Sequence, residues 1–266
     1  MLSQVQSRVQ RIAARAKPAP LFLNEFSLAV KGLNPIHDGL RVAHLSDLHV
    51  GWATNPQRIR EAIALVHGAK PDLVAMTGDY ICLSRLDIAP MRRALSALAG
   101  LPVVATLGNH DFWAGPERVA GVLREVGCDV LRNEHRAIQV RGESLWVVGV
   151  DDPVSQADDV ERAFAGLPEN ASVPLALVHC GRAASAIAER GAGLILSGHS
   201  HGGQVEIPNV TDRLGRRMGI PFMRGMHAVG DAALYVTPGI GNSALPFRVG
   251  HGARAEVAMI TLRSAS

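Results

Sequence analysis

Asp47-Leu48-His49, Gly78-Asp79, Gly108-Asn109-His110-Asp111, His179 and Gly198-His199-Ser200-His201 carry the side chains of this chain best suited to chemistry. Seven of them are candidate metal ligands: the carboxylates of Asp47 and Asp79, the imidazoles of His49, His179, His199 and His201, and the amide oxygen of Asn109. Mixed nitrogen and oxygen ligation suits a divalent first-row metal, manganese or alternatively iron, zinc or cobalt. The set has no cysteine and more donors than a closed structural zinc site uses, which points to two hydrolytic ions sharing a carboxylate. Paired ions of this kind lower the pKa of a bound water and give hydroxide near neutral pH. Two divalent ions outweigh two carboxylates and a hydroxide, so the pocket stays positive and draws an anionic substrate.

Each local pattern is ordinary alone. Asp47-x-His49 puts two side chains on one face of a strand end, His199-x-His201 also fits a polar turn, and Gly78-Asp79 and Gly108-Asn109 are common turn dipeptides. The conjunction is specific, because each follows a short apolar run, at 42–46, 73–77, 103–107, 175–178 and 194–197. In open α/β sheets, ligands collect beyond the carboxyl ends of the strands. Five such runs therefore read as strands aimed at one point.

The intervening segments supply the framework. Residues 21–31 and 40–46 read as strands, with a turn-rich link between them. Helical apolar spacing follows at 56–69, 86–99 and 116–126, the last closed by Gly127, and these alternate with the strands at 73 and 103. That order is the pattern of right-handed βαβ crossovers on a largely parallel sheet. Residues 137–140 and 145–150 around Gly142 read as a hairpin feeding a second sheet. Helices at 157–165 and 182–190 alternate with strands near 173 and 194; beyond His201 the chain reads as strand and loop, with strands at 233–237 and 254–262. The expected fold is α/β, a two-sheet sandwich flanked by helices.

A chain of 266 residues that is 47% hydrophobic can bury one full core, so 21–266 is expected to be a single domain. Lys and Arg exceed Asp and Glu by only 27 to 24 and aromatics make up 4%, which argues against a nucleic-acid partner. Cys82, Cys128 and Cys180 form no C-x-x-C pair and read as buried free thiols in a reducing compartment. No window approaches a membrane span, and no secretory signal is evident. Residues 1–20 read as a basic amphipathic helix: Leu2, Val5, Val9 and Ile12 recur at helical spacing beside Arg8, Arg11, Arg15 and Lys17. Its plainer role is docking on the domain; the sharper one is peripheral contact of residues 1–18 with anionic lipid. The expected location is the cytoplasm, with the inner membrane face as the alternative.

Taken together, the motifs resemble the five-part signature of the calcineurin-like metallophosphoesterases over residues 38–262. Gly149-Val-Asp151-Asp152, Gly202-Gly203-Gln204-Val205, the run from Leu234 to Gly241 and Pro246-Phe247-Arg248 further resemble bacterial phosphodiesterases related to lipid A precursor (UDP-2,3-diacylglucosamine) hydrolases. His179 is followed by Cys180-Gly181, where such relatives usually carry a polar residue. The resemblance implies the four-layer αββα fold of that family. It implies one metal on Asp47, His49, Asp79 and His201 and another on Asp79, Asn109, His179 and His199, with Asp79 bridging. It further implies in-line attack on phosphorus by a metal-bridging hydroxide, His110 stabilising the transition state or protonating the leaving oxygen, and Asp111 orienting His110. A turn-capping carboxylate is the bland alternative for Asp111. The substrate expected is a phosphoester, small or lipid-linked, and most directly a phosphodiester; a lipid A precursor pyrophosphate is the alternative.

Other residues stay outside that set. Asp151-Asp152 reads as an exposed turn before Pro153, or else as a bond to a ligand imidazole. The mixed basic and apolar segment 208–226 reads as a loop, either solvated or capping the site over a phosphate joined to something greasy. Rival chemistries fail on spacing: the residue six after each cysteine is Ile88, Glu134 or Ala186, not the arginine of a tyrosine phosphatase. Gly239-Ile-Gly241 lies between Pro238 and Pro246, against a dinucleotide-binding helix. A metal-dependent amidohydrolase has no use for Gly-Asn-His-Asp, and a scaffold without catalysis would have lost ligands that are all present here.

Overall fold

The computed structural model of the protein describes residues 20–265 apart from positions 32, 170, 172–174, 244 and 246. The amphipathic helix expected over residues 1–18 lies outside the described residues. Two six-stranded sheets stack face to face. The first has the order β1 (Phe22–Lys31), β12 (Glu256–Ala265), β2 (Leu40–Leu45), β3 (Leu73–Thr77), β4 (Val103–Thr106) and β5 (Asp129–Val130). The second runs β10 (Gly225–Val229), β11 (Ala232–Val236), β9 (Leu194–Ser197), β8 (Leu175–Val178), β7 (Glu143–Val150) and β6 (Glu134–Val140).

Strands β2, β3 and β4 are parallel, as are β7, β8 and β9. Their near-continuous apolar sequences follow from burial on both faces. In β3, Leu73 and Ala75 face the other sheet while Val74 and Met76 face helices; in β8, Leu175 and Leu177 face inward while Ala176 and Val178 face out. The inner core joins Val42, Leu73, Val104, Val147, Leu177 and Leu196 from the two sheets. Outside the first sheet lie α1 (Pro56–Ala69), α2 (Ile88–Leu95) and α4 (Pro116–Glu125), contributing Ile59, Ile63, Met91, Leu95, Val119 and Leu123. Outside the second lie α5 (Val160–Phe164) and α6 (Ala184–Glu189), contributing Phe164 and Ile187. This is the expected four-layer αββα sandwich.

Local signals account for most boundaries. Asn55 accepts the Gln57 amide at 2.9 Å with Pro56 opening α1, and Lys70 at φ 51° ends it. The hairpin between β6 and β7 turns through Arg141 and Gly142, both at positive φ, as a two-residue loop needs. Three expectations change. The helix read over 86–99 is split into 3-10 turns at Arg85–Asp87 and Ser96–Leu98 around α2, with Ser84 and Asp87 making a capping box at its entrance. Asn109–Ala114 forms a short helix, α3, and Thr211–Arg217 forms another, α7, inside the segment read as loop. The first sheet is mixed, because β12 enters antiparallel to β2.

His44, fully buried in β2, pairs its Nε2 with Thr77 Oγ1 at 2.9 Å, and burial drives its pKa from 6.5 down to about 3. It is neutral in the fold and protonates on unfolding, so its contribution to stability is complete above about pH 6.5 and is lost as pH falls toward 3. His44→Gln, which keeps a hydrogen-bonding group but cannot titrate, should reduce the acid slope of the unfolding free energy by up to ~1.4 kcal/mol per pH unit between these limits. Urea unfolding at pH 7, 6 and 5 with metal chelated (buffer values of about these steps) would show it; parallel slopes for both proteins would refute it.

Candidate metal centre

All seven candidate ligands meet at the carboxyl ends of β2, β3, β4, β8 and β9, so both sheets contribute. His49 Nε2 lies 3.0 Å from His201 Nε2 and 3.4 Å from Asp79 Oδ2, and His201 Nε2 lies 3.3 Å from Asp47 Oδ1. On the other side His179 Nε2 is 3.2 Å from Asp79 Oδ2 and 3.3 Å from His199 Nδ1, which is 3.0 Å from Asn109 Oδ1. Asp79 thus touches both halves. Asp47, His49, Asn109, Asp79, His179 and His201 are buried, and Asp47 Oδ1 has no hydrogen-bond partner among the described residues. Such a set has far more lone pairs than protons to share. A divalent cation satisfies that excess, so the donors present fit the metals the motif implies.

The backbone is bent to bring them there. Asp47, His49, Asp79, His199 and His201 all have φ between 42° and 70°, the left-handed region that non-glycine residues rarely adopt. Strain of this kind, on the order of 1–3 kcal/mol per residue, persists only where surrounding structure enforces it. Glycines supply the room: a Cβ on Gly198 would collide with Ser46 Oγ and Asp47 Oδ2, and one on Gly78 with the Gly108 backbone.

Neighbouring groups aim the side chains. His179 donates Nδ1–H to Thr77 O at 2.6 Å, leaving Nε2 free to face the centre. The amides of His199 and His110 donate to Asp47 Oδ2 and Asp79 Oδ1 at 3.1 and 2.9 Å, steadying each carboxylate. Burial would raise both acids, yet the surrounding imidazoles, His201 for Asp47 and His179 for Asp79, hold them well below the usual carboxylate range. His179 is correspondingly raised against the effect of its burial by Asp79. His110 Nδ1 hydrogen-bonds Cys82 O, which turns Nε2 toward Asp79 Oδ2, 4.0 Å away. Trp113, exposed in α3, lies beside His110 with the rings tilted and their centroids 4.6 Å apart.

Two sequence expectations are corrected here. Of the two readings of Asp111, its contacts are those of the turn-capping carboxylate and not of a partner to His110: Oδ2 accepts the amides of Asp79 and Gly108 at 2.8 and 2.9 Å, and Oδ1 that of Tyr80 at 3.0 Å. It ties the loop after β3 to the loop after β4, and burial beside Asp79 pushes its pKa up to about 8. Asp151 and Asp152 are buried, not exposed: Asp151 pairs with Arg132 at 2.9 Å, and Asp152 Oδ2 accepts the Ser155 amide at 2.7 Å. Among the described residues neither hydrogen-bonds a ligand ring: Arg132 holds the Asp151 carboxylate, and Asp152 Oδ1 is buried without a partner. Cys82, Cys128 and Cys180 are buried free thiols, as expected.

Arg248 is the residue that motif spacing left out. Its guanidinium donates to Pro238 O at 2.7 Å, Ala253 O at 3.1 Å and Gly241 O, and Nη2 lies 3.0 Å from His201 Nδ1. Arg248 thereby packs against the outer edge of the His201 ring and leaves its Nε2 edge turned to His49 and Asp47. Its position between Phe247 and Val249 carries no local pattern; the resemblance of Pro246-Phe247-Arg248 to the relatives was its only signal.

The profile of the calcineurin-like phosphoesterases matches residues 40–203, which span every candidate ligand, and the chain belongs to that family: it is a metal-dependent phosphoric ester hydrolase. Among its relatives, the metallophosphoesterase YkoQ of Bacillus subtilis is 30% identical over 238 residues, 86% of each chain. The phosphodiesterase YaeI of Escherichia coli is 30% identical over 208 residues, 76% of this chain and 75% of its own. The UDP-2,3-diacylglucosamine pyrophosphatase LpxG of Chlamydia trachomatis is more distant, 22% identical over 259 residues, 76% of this chain and 78% of its own.

Two substitutions probe this architecture. Gly198→Ala should displace Asp47 and cut metal content in the purified protein, read by elemental analysis; full loading would show that the close approach is dispensable. Arg248→Met strips a donor from several carbonyls at ~1–3 kcal/mol each. It should lower unfolding stability by about 3 kcal/mol or more, and an unchanged melting temperature would contradict the tethering role.

Proposed function

We propose that the chain hydrolyses a phosphodiester at a centre of two divalent ions. Asp47, His49, Asp79 and His201 would hold one ion, and Asp79, Asn109, His179 and His199 the other, with Asp79 common to both. The observation that carries this reading is the contact of Asp79 Oδ2 with His49 Nε2 on one side, at 3.4 Å, and with His179 Nε2 on the other, at 3.2 Å. Ions bound there neutralise phosphoryl charge and make a nucleophile from water at neutral pH. The mixed nitrogen and oxygen donors suit manganese, with iron, zinc and cobalt as alternatives.

The residues themselves divide the remaining work. His110, its ring fixed by the Cys82 carbonyl, presents Nε2 to the site and would stabilise the transition state or donate a proton to the departing oxygen. Asp111 acts at one remove, gripping the amides of Asp79, Tyr80 and Gly108 so that the bridging carboxylate and the His110 turn keep their spacing. The phosphodiesterase relative YaeI supports a diester over a monoester. A lipid A precursor pyrophosphate is the second reading, supported by the distant likeness to LpxG.

Metal-supplemented turnover of bis(p-nitrophenyl) phosphate should exceed that of p-nitrophenyl phosphate and of an anilide. Asp79→Asn should reduce it to background, while His110→Ala should lower kcat by about 10²–10⁴ with metal content retained. Retained turnover in Asp79→Asn would refute the shared carboxylate; preference for UDP-2,3-diacylglucosamine over every simple diester would favour the second reading.

A further inference from the structure

Helix α7 and the segment after Ser243 leave an apolar surface that the catalytic reading does not use. Val210, Leu214 and Met218 recur at four-residue spacing along one side of α7, and Ile207 precedes them. The opposite side is spent: Gly215 is buried against Met223, and Arg182 donates to the carbonyls of Met218 and Gly219 at the helix end. That docking fixes which face points outward. Phe247 and Val249 point out as well, because Arg248 between them turns inward to His201. Hydrogen bonds from Gln204 Nε2 to Leu245 O and Phe247 O, and from Glu206 N to Val249 O at 2.8 Å, tie Leu245, Phe247 and Val249 to the stretch that leads into α7. Ile207, Val210, Leu214, Met218, Phe247 and Val249 are between 49% and 64% exposed.

Charge on this surface is one-sided. Arg213, Arg216 and Arg217 are exposed on α7 with no carboxylate in ion-pair distance among the described residues. The nearby acids Glu206 and Asp212 are both engaged by Arg224. A second copy of the chain placed on this face about a two-fold axis would set arginine against arginine. An exposed apolar stripe flanked by arginines matches an interface with acyl chains beneath and anionic headgroups beside it.

We propose that α7 together with Leu245, Phe247 and Val249 forms a docking surface for an anionic lipid bilayer, on the side of the molecule where Arg248 meets His201. Docking needs no bound metal and no turnover, so it stands or falls independently of the phosphodiesterase reading.

Flotation of the full chain with phosphatidylcholine vesicles, with and without about 30% phosphatidylglycerol, tests it. Anionic vesicles should bind at least tenfold more tightly, since three arginines near such a surface amount to on the order of a hundredfold, and salt of about 0.5 M should erase most of that gain. The combined variant Arg213→Glu, Arg216→Glu, Arg217→Glu should lose at least about tenfold in vesicle affinity. Leu214→Asp with Met218→Asp should also lose binding, and both variants should hydrolyse a soluble diester like the parent, showing intact folding. Asp79→Asn should bind vesicles normally. Equal binding to neutral and anionic vesicles, or wild-type binding by the variants, would overturn the proposal. So would a dimer in sedimentation velocity that Leu214→Asp dissociates while vesicle binding persists, which would assign the face to a second copy.

Discussion

Lone pairs outnumber protons at the junction of the two sheets, and most of this structure exists to hold that imbalance in place. Asp47 Oδ1, Asp79 Oδ2 and the ring nitrogens of His49, His179, His199 and His201 stand within about hydrogen-bond reach of one another, from loops that follow strands in both sheets. Protons can satisfy only part of such a set, and a buried carboxylate left without a counter-charge is costly. Divalent cations satisfy it completely. The stability of the loaded protein and its chemistry are therefore coupled through the same atoms, and binding free energy offsets backbone strain at five of the ligand positions.

The rest of the fold supplies stiffness for that arrangement. Strands β3, β4, β8 and β9 are buried on every residue, so their ends cannot shift without disturbing cores on both faces. Gly78 and Gly198 let backbone and carboxylate approach where any side chain would intrude. Asp111 then links the loops after β3 and β4 through three amides, and the Thr77 carbonyl links β3 to His179 after β8. The two sheets are joined by hydrogen bonds at the site as well as by the apolar contacts beneath it.

Much of this could be read from the chain. An apolar run with a polar ligand just past its end is a local pattern, so the sequence alone puts Asp47, Asp79, Asn109, His179 and His199 at strand ends. The sandwich followed from the helices alternating with those runs. What escaped depends on contacts that sequence spacing does not encode. Cys82 and Thr77 orient rings through their carbonyls, which every residue possesses. Arg248 reaches a ring 47 positions away. Asp151 and Asp152 look like a solvated acidic turn, yet Arg132 allows one to be buried and the Ser155 amide donates to the other. Helix α7 was hidden by Gly215 and by prolines on either side of a short arginine-rich stretch, a composition that also suits a loop.

A centre that activates water for phosphorus discriminates little among esters, since the ions touch only the phosphoryl group and its immediate oxygens. Selection must come from whatever borders the opening. On one side stand His110 and the exposed indole of Trp113, carried on α3, whose first residue is itself a candidate ligand. On the other stand His201 and Arg248, with α7 and Phe247 beyond them. The first border is rigid because the ligand turn and the aromatic share one short helix. The second is joined to the centre through a guanidinium that also spans the loop from Pro238 to Ala253. The two borders thus differ in kind: one carries an imidazole and an indole on a single short helix, and the other connects a candidate ligand to the loop from Pro238 to Ala253.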